Sequence, residues 1–152
     1  ALYCLVYALL SYLLPLFFGQ PRAPLGRRAA FSIAWIVLLS FFTYAVSYYS
    51  PDEELGNRFL HGFGGGFLAF LMCWFVIRDT KLNVTKFQFF ALSFLIVTAL
   101  GVANELLEFI LQNTTGYVFA PTINDTWLDL ASNTVGALLA AAFFVPFIRP
   151  KN

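Results

Sequence analysis

Asn124-Asp125-Thr126-Trp127-Leu128-Asp129-Leu130-Ala131-Ser132-Asn133-Thr134-Val135-Gly136-Ala137 runs without a break into Leu138-Leu139-Ala140-Ala141-Ala142-Phe143-Phe144-Val145. The second half is apolar enough to sit in hydrocarbon, so the first half is read as the head of a membrane helix. Asp125, Asp129 and Asn133 recur at i, i+4 and i+8, which places them in one stripe on a single helical face. That stripe is roughly 12 Å long at about 1.5 Å per residue. Ionisable groups inside a spanning helix are costly and mark a functional candidate by default. What the stripe faces is the question that orders the rest of the chain.

The 152 residues are 60% hydrophobic, 19% aromatic and 11% charged, against roughly 25% charged in soluble domains. This is the composition of a multi-spanning membrane protein. A net charge of +1 says nothing about nucleic acid, and no basic run supports such a partner, so none is expected. Cys4 and Cys73 form neither a metal pair nor a disulfide framework and read as small apolar residues. The chain opens on Ala, so an N-terminal segment or cleaved signal ahead of it stays an open expectation.

With about 20 apolar residues needed per crossing, five spans are expected. They run from Ala1 to Phe18, Ala29 to Tyr49, Asn57 to Ile77, Phe87 to Leu111, and Asp125 to Ile148. Between the second and third lies the acidic turn Pro51-Asp52-Glu53-Glu54, and Arg78 to Lys86 is expected to be a polar loop. Lys and Arg mark cytoplasmic segments. Arg22, Arg27 and Arg28 fall in the first loop, Arg78, Lys81 and Lys86 in the third, and Arg149 and Lys151 in the tail. The other two connections hold only Arg58. The expected fold is therefore all-α, a polytopic bundle of about five transmembrane helices with the N-terminus outside and the C-terminus inside. Residues 1–152 read as one integral membrane domain, with two accessory spans in 1–50 and a three-helix core in 57–148. Nothing indicates a secretory glycoprotein, so the sequons at Asn83, Asn113 and Asn124 are taken as chance. The expected location is the cell membrane, that of a bacterium.

This topology collects the embedded polar residues at one depth. His61 lies about a turn inside the outer end of the third span, and Arg58 precedes it by one turn on the same face. Glu105 and Glu108, at i and i+3, share a face near the outer end of the fourth span, with Asn104 beside them. Asp125, Asp129 and Asn133 head the fifth. Four carboxylates in one half-dry pocket cannot all remain charged without compensation. The remedies are shared protons or a bound cation. Carboxylates with an Asn carbonyl make an oxygen-only set suited to Ca²⁺, Mg²⁺ or Mn²⁺. Arg58 and a protonated His61 are the alternative source of balance, and direct contact between Arg58 and a carboxylate would favour a structural cluster.

Each residue also has a plainer role. His61 can be a hydrogen-bonded packing residue, Glu108 a solvated helix-end acid, and Asp125 an N-cap. Asn133 can join helices by a hydrogen bond, whereas Asp129 lies beyond capping reach. Gly62, Gly64, Gly65 and Gly66 lack a Walker lysine and read as surface for close helix contact, as do Gly136 and Ala137. The inner halves of the spans show no acid, which argues against an ion or proton pathway. The aromatic connection from Tyr117 to Pro121 is long enough to dip into lipid as a gate.

The segments Asn57-Arg58-Phe59-Leu60-His61-Gly62, Asn104-Glu105-Leu106-Leu107-Glu108 and Asp125-x3-Asp129-x3-Asn133-x2-Gly136 resemble the VanZ-like family of small membrane proteins, named for an antibiotic-resistance determinant. The resemblance covers about Asn57 to Ala142. Glu108 departs from it, since many VanZ-like sequences carry Gln there, and so places the chain at the family's edge. The same order of His, Glu-x2-Glu and Asp-x3-Asp is similar to base-exchange phosphatidylserine synthases, which are Ca²⁺-dependent head-group transferases. The resemblance implies that His61 acts as general acid, base or nucleophile, that Glu105 and Asp129 orient it, and that Glu108 and Asp125 hold metal.

The expected activity is hydrolysis or exchange of phosphoester head groups on phospholipids or lipid-linked intermediates at the outer leaflet. A divalent ion and Arg58 would stabilise phosphoryl charge, and Asn133 would contribute to substrate binding. The alternatives are a non-catalytic module that binds lipid or glycopeptide or braces partner membrane subunits in an oligomer, and, behind it, an ion or proton pathway.

Overall fold

The computed structural model describes residues 2–22, 24–118 and 122–149. Phe119 to Pro121, the last three residues of the expected gate, and Lys151 of the basic tail lie outside them. Five helices carry the chain: α1 (Leu2–Phe17), α2 (Arg27–Tyr48), α3 (Glu53–Thr80), α4 (Lys86–Thr115) and α5 (Ile123–Phe147, closing in a 3₁₀ turn). There is no strand among the described residues. Helices α2 to α5 are long and apolar enough to cross a membrane, whereas α1 has 16 residues. The first expected span thus differs from the other four. Tyr3 donates to the Gly64 carbonyl at 2.8 Å, and Gln20 pairs with the backbone of Asn83. Helix α1 therefore flanks α3 from about Gly64 to its C-terminal end.

Several boundaries shift from the expected ones for local reasons. The acidic turn begins α3: the Asp52 carboxylate accepts from the Leu55 amide, and Glu53 and Glu54 complement the dipole in the first turn. Thr85 and Gln88 form a capping box that starts α4, and Gly116, at φ 74°, ends it in a left-handed cap. Thr122 caps α5 by accepting from the Asp125 amide. Asp125 is therefore not the N-cap, and its side chain is left for another partner.

Helix α3 is the axis of the bundle. Its apolar window is 67% buried, against 22% for α2 and α4 and 33% for α5. Leu68, Phe70, Met72 and Val76 are wholly enclosed, as befits a helix apolar on all sides. The other helices turn residues such as Phe41, Leu95 and Leu139 outward, toward lipid that is as apolar as they are.

From Leu60 to Leu68 the axis winds as a π-helix. Such segments are rare and cluster at functional sites. The sequence Leu60-His61-Gly62-Phe63-Gly64-Gly65-Gly66-Phe67-Leu68 favours the departure, because glycine weakens the α-helical preference. The glycines also let α5 come within backbone contact. A Cβ on Gly136 would strike the Gly62 carbonyl, and one on Gly66 would strike the Asn133 carbonyl. The small-residue surface expected from the sequence is thus the α3–α5 seam.

At the opposite end of α3 the expected loop is helical as far as Thr80, and Asp79 is buried. The Asp79 carboxylate accepts from Tyr7 of α1 at 2.8 Å, from Ser32 of α2, and from Arg78 Nε at 2.9 Å. This corrects the expectation that the far halves of the helices lack acids. Three donors from three helices make the burial tolerable and keep the last turn of α3 wound.

Candidate functional site

The site is assembled by the first turns of α3 and α5 and the last turns of α4. Asn57, Arg58 and His61 share one face of α3, and the π-helical turn carries His61 into the space between α4 and α5. The Arg58 guanidinium forks onto α5, with Nη2 on the Asp125 carboxylate and Nη1 on that of Asp129. A longer approach to Glu54, at 3.9 Å, lies on its own helix. Asn57 adds a donor to Asp129, at 3.1 Å to Oδ1 and 3.4 Å to Oδ2.

Asp129 is the most enclosed member, at 1% exposure. The His61 ring lies between two carboxylates. Its Nδ1 is 3.8 Å from Glu105 Oε1 and its Nε2 is 3.6 Å from Asp129 Oδ2. Both separations exceed hydrogen-bond length. Glu105 is 8% exposed, and neither of its oxygens has a hydrogen-bond partner, although Asn104 and Thr126 stand near.

The charges do not balance. Asp125, Asp129 and Glu105 are three carboxylates against one guanidinium, which leaves two negative charges uncompensated when His61 is neutral and one when it is protonated. An uncompensated buried charge is strongly unfavourable, so the site favours a proton or a cation. His61, Glu105 and Asp129 each offer one ligand atom, all within 4.8 Å of one another. The orphaned Glu105 carboxylate makes this trio fit a divalent ion, with one imidazole nitrogen and two carboxylate oxygens as donors.

Of the residues read from the sequence, the structure brings together Arg58, His61, Glu105, Asp125 and Asp129. Glu108 and Asp125, expected by resemblance to hold metal, are not in the trio. Asp125 is tied to Arg58, and Glu108 accepts from Asn104 Nδ2 at 2.7 Å one turn farther along α4. Asn133 lies one turn beyond Asp129, 4% exposed, against Gly65 of α3 and Gly101 of α4. Its Oδ1 has no partner, so the interhelical hydrogen bond expected of it is not formed by that atom. The sequence reading assigned Asn57 no part in the site, although its spacing four residues before His61 puts both on one face.

Two recesses adjoin the cluster. A chamber of about 450 Å³ opens between α1, α2, α3 and α4, with His61, Asn104, Glu108 and Asn133 toward one end and Val6, Leu68 and Ala69 toward the other. On the far side of α3, a groove of about 560 Å³ leads from Arg58 along Phe59, Phe63 and Phe67, whose rings stack at 5.4 and 5.2 Å.

Helices that long, with a buried ionisable centre close to one end of the bundle, define a multi-pass membrane protein. Over residues 1–149 the chain matches the family described as "Predicted membrane protein (DUF2238)", and it belongs to that family. The match includes α1 and α2 as well as the helices that carry the site. No curated protein and no solved structure matches the chain. The VanZ-like resemblance stays a likeness of motifs.

Proposed function

We propose that the protein is a lipid-active membrane enzyme that hydrolyses or exchanges phosphoester head groups of phospholipids or lipid-linked intermediates. The observation that carries this reading is the position of His61. Its ring lies between Glu105 and Asp129 and also borders a chamber that is polar at that end and apolar beyond, the shape of an amphiphile. The motif likeness to VanZ-like proteins and base-exchange synthases supports the same chemistry.

In this mechanism His61 accepts the proton of an incoming alcohol, amine or water as that group attacks phosphorus. The bond from phosphorus to the departing head-group oxygen breaks, and His61 returns the proton to that oxygen. Asp129, held by Arg58 and Asn57, and Glu105 orient the ring from its two nitrogens. A divalent ion held by His61, Glu105 and Asp129 would supply Lewis acidity toward phosphoryl oxygen, and of Ca²⁺, Mg²⁺ and Mn²⁺ the mixed nitrogen–oxygen set suits Mn²⁺ best. Because neutral imidazole has one lone-pair nitrogen, His61 would then be a ligand in place of the base, and the two roles are alternatives. The basic residues Arg27, Arg28 and Arg78 at the opposite end favour an outer-leaflet site in a bacterial plasma membrane.

The test is head-group release or exchange by the purified full chain in mixed-phospholipid nanodiscs with each of the three ions. Turnover is expected, with a loss of about 100-fold or more in His61→Ala. Equal behaviour of wild type and His61→Ala on every lipid class would overturn the enzyme reading.

A second reading, a non-catalytic brace, is favoured by the direct contacts of Arg58 with Asp125 and Asp129. There the cluster ties α3 to α5 for binding lipid or a partner subunit. A proton pathway has less support: Asp79 is buried at the far end, but its carboxylate is engaged by three donors, and α3 is apolar from Phe67 to Ile77.

A further inference from the structure

We propose that the chamber beside His61 binds the cationic amine of an amphiphile and that Glu108 is the residue that selects it. The inference deepens the lipid-active reading, and rests on it for calling the ligand a substrate; the binding itself needs no turnover. It starts from the polar groups on the chamber wall. The hydroxyls of Tyr3, Ser40 and Thr43 donate to the carbonyls of Gly64, Ile36 and Leu39, at 2.8, 2.7 and 2.7 Å. Their hydrogens are therefore spent on backbone, and only lone pairs remain for a ligand.

Asn104 directs its amide nitrogen to Glu108 Oε1 at 2.7 Å. That contact braces the carboxylate and leaves its second oxygen for a ligand. Asn133, 4% exposed, closes the same wall, with its Oδ1 enclosed against Gly65 of α3. No Lys or Arg lines the chamber, and Arg58 opens instead on the separate aromatic groove. Glu108 is thus the one fixed charge on the wall, and it is negative.

A primary ammonium satisfies every part of this arrangement. It carries three donors and one positive charge, which match the Glu108 carboxylate and the hydroxyl lone pairs on the wall. The apolar end beside Val6, Leu68 and Ala69 then accommodates the chain that follows the head group. An anionic head group without an amine would meet Glu108 with no compensating cation.

The experiment compares lysophosphatidylethanolamine with lysophosphatidylglycerol of the same chain, bound to the purified full chain and counted by native mass spectrometry. Wild type should bind the ethanolamine lipid about tenfold more tightly, the scale of one charge contact at a half-buried site. Glu108→Gln should bring the two within about twofold. N-acetylation of the ethanolamine lipid should do the same with wild-type protein, which needs no variant to fold. His61→Ala should keep the preference even where turnover is absent, so failure of the enzyme reading is told apart from failure of this one. Equal binding of the two lipids by wild type, or an undiminished preference in Glu108→Gln or for the acetylated lipid, would overturn the proposal.

Discussion

Replacing Arg58 with Met removes the one fixed cation from the cluster while keeping most of the side chain's apolar stem. Two ion pairs are lost. The Arg58 and Asp125 side chains are 19% and 15% exposed, so partial solvation limits that pair to about 1 kcal/mol. The Asp129 side chain is 2% exposed, and stranding a buried carboxylate costs about 3–5 kcal/mol. Asn57 still donates to Asp129 and offsets a little of this. Arg58→Met should therefore destabilise the protein by about 4 kcal/mol. Adding Asp129→Asn removes the stranded charge and keeps a hydrogen-bonding partner for Asn57. The double variant should recover at least about half of the loss, an interaction of the kind expected between direct contacts. Equilibrium unfolding of the purified chain in mixed micelles, followed by circular dichroism, measures both values. A loss below about 1 kcal/mol in Arg58→Met, or a double variant less stable than the single one, would refute the charge argument. Either result would also remove the basis of the brace reading.

Gly136→Ala should destabilise by about 1–3 kcal/mol, because its Cβ meets the Gly62 carbonyl and α3 must move away from α5. Gly26→Ala, with open space at that position, should cost only the difference between a Gly and an Ala N-cap, about 1 kcal/mol or less; equal melting temperatures for the two variants would contradict the seam. Tyr7→Phe removes one of the three donors to Asp79 and should lower stability by about 1–3 kcal/mol, seen in the same thermal assay. A variant as stable as wild type would mean that Ser32 and Arg78 suffice.

The likeness between expectation and structure is greatest where burial alone decides. Four apolar stretches had to be helices, since lipid leaves no other way to satisfy the backbone within one segment. The i, i+4, i+8 spacing of Asp125, Asp129 and Asn133, and the one-turn step from Arg58 to His61, fixed which side chains share a face whatever the packing. Their gathering near one end was legible too, because the spans alternate in direction and the polar residues alternate with them.

Other features depended on contacts that sequence spacing does not encode. Asp79 looked like a loop residue, because its partners Tyr7 and Ser32 lie 72 and 47 positions away. Asp125 looked like a cap until Thr122 took that role and Arg58 took the carboxylate. The amino-acid sequence by itself determined the helices, their membrane-grade faces and the set of polar residues near one end. Only the tertiary structure decided which carboxylates flank His61, that Glu108 stands apart on the chamber wall, and that α3 unwinds into a π-helix. Those outcomes turn on helix rotation and separation, which the glycine contacts of Gly62 and Gly66 with α5 set to within atomic dimensions.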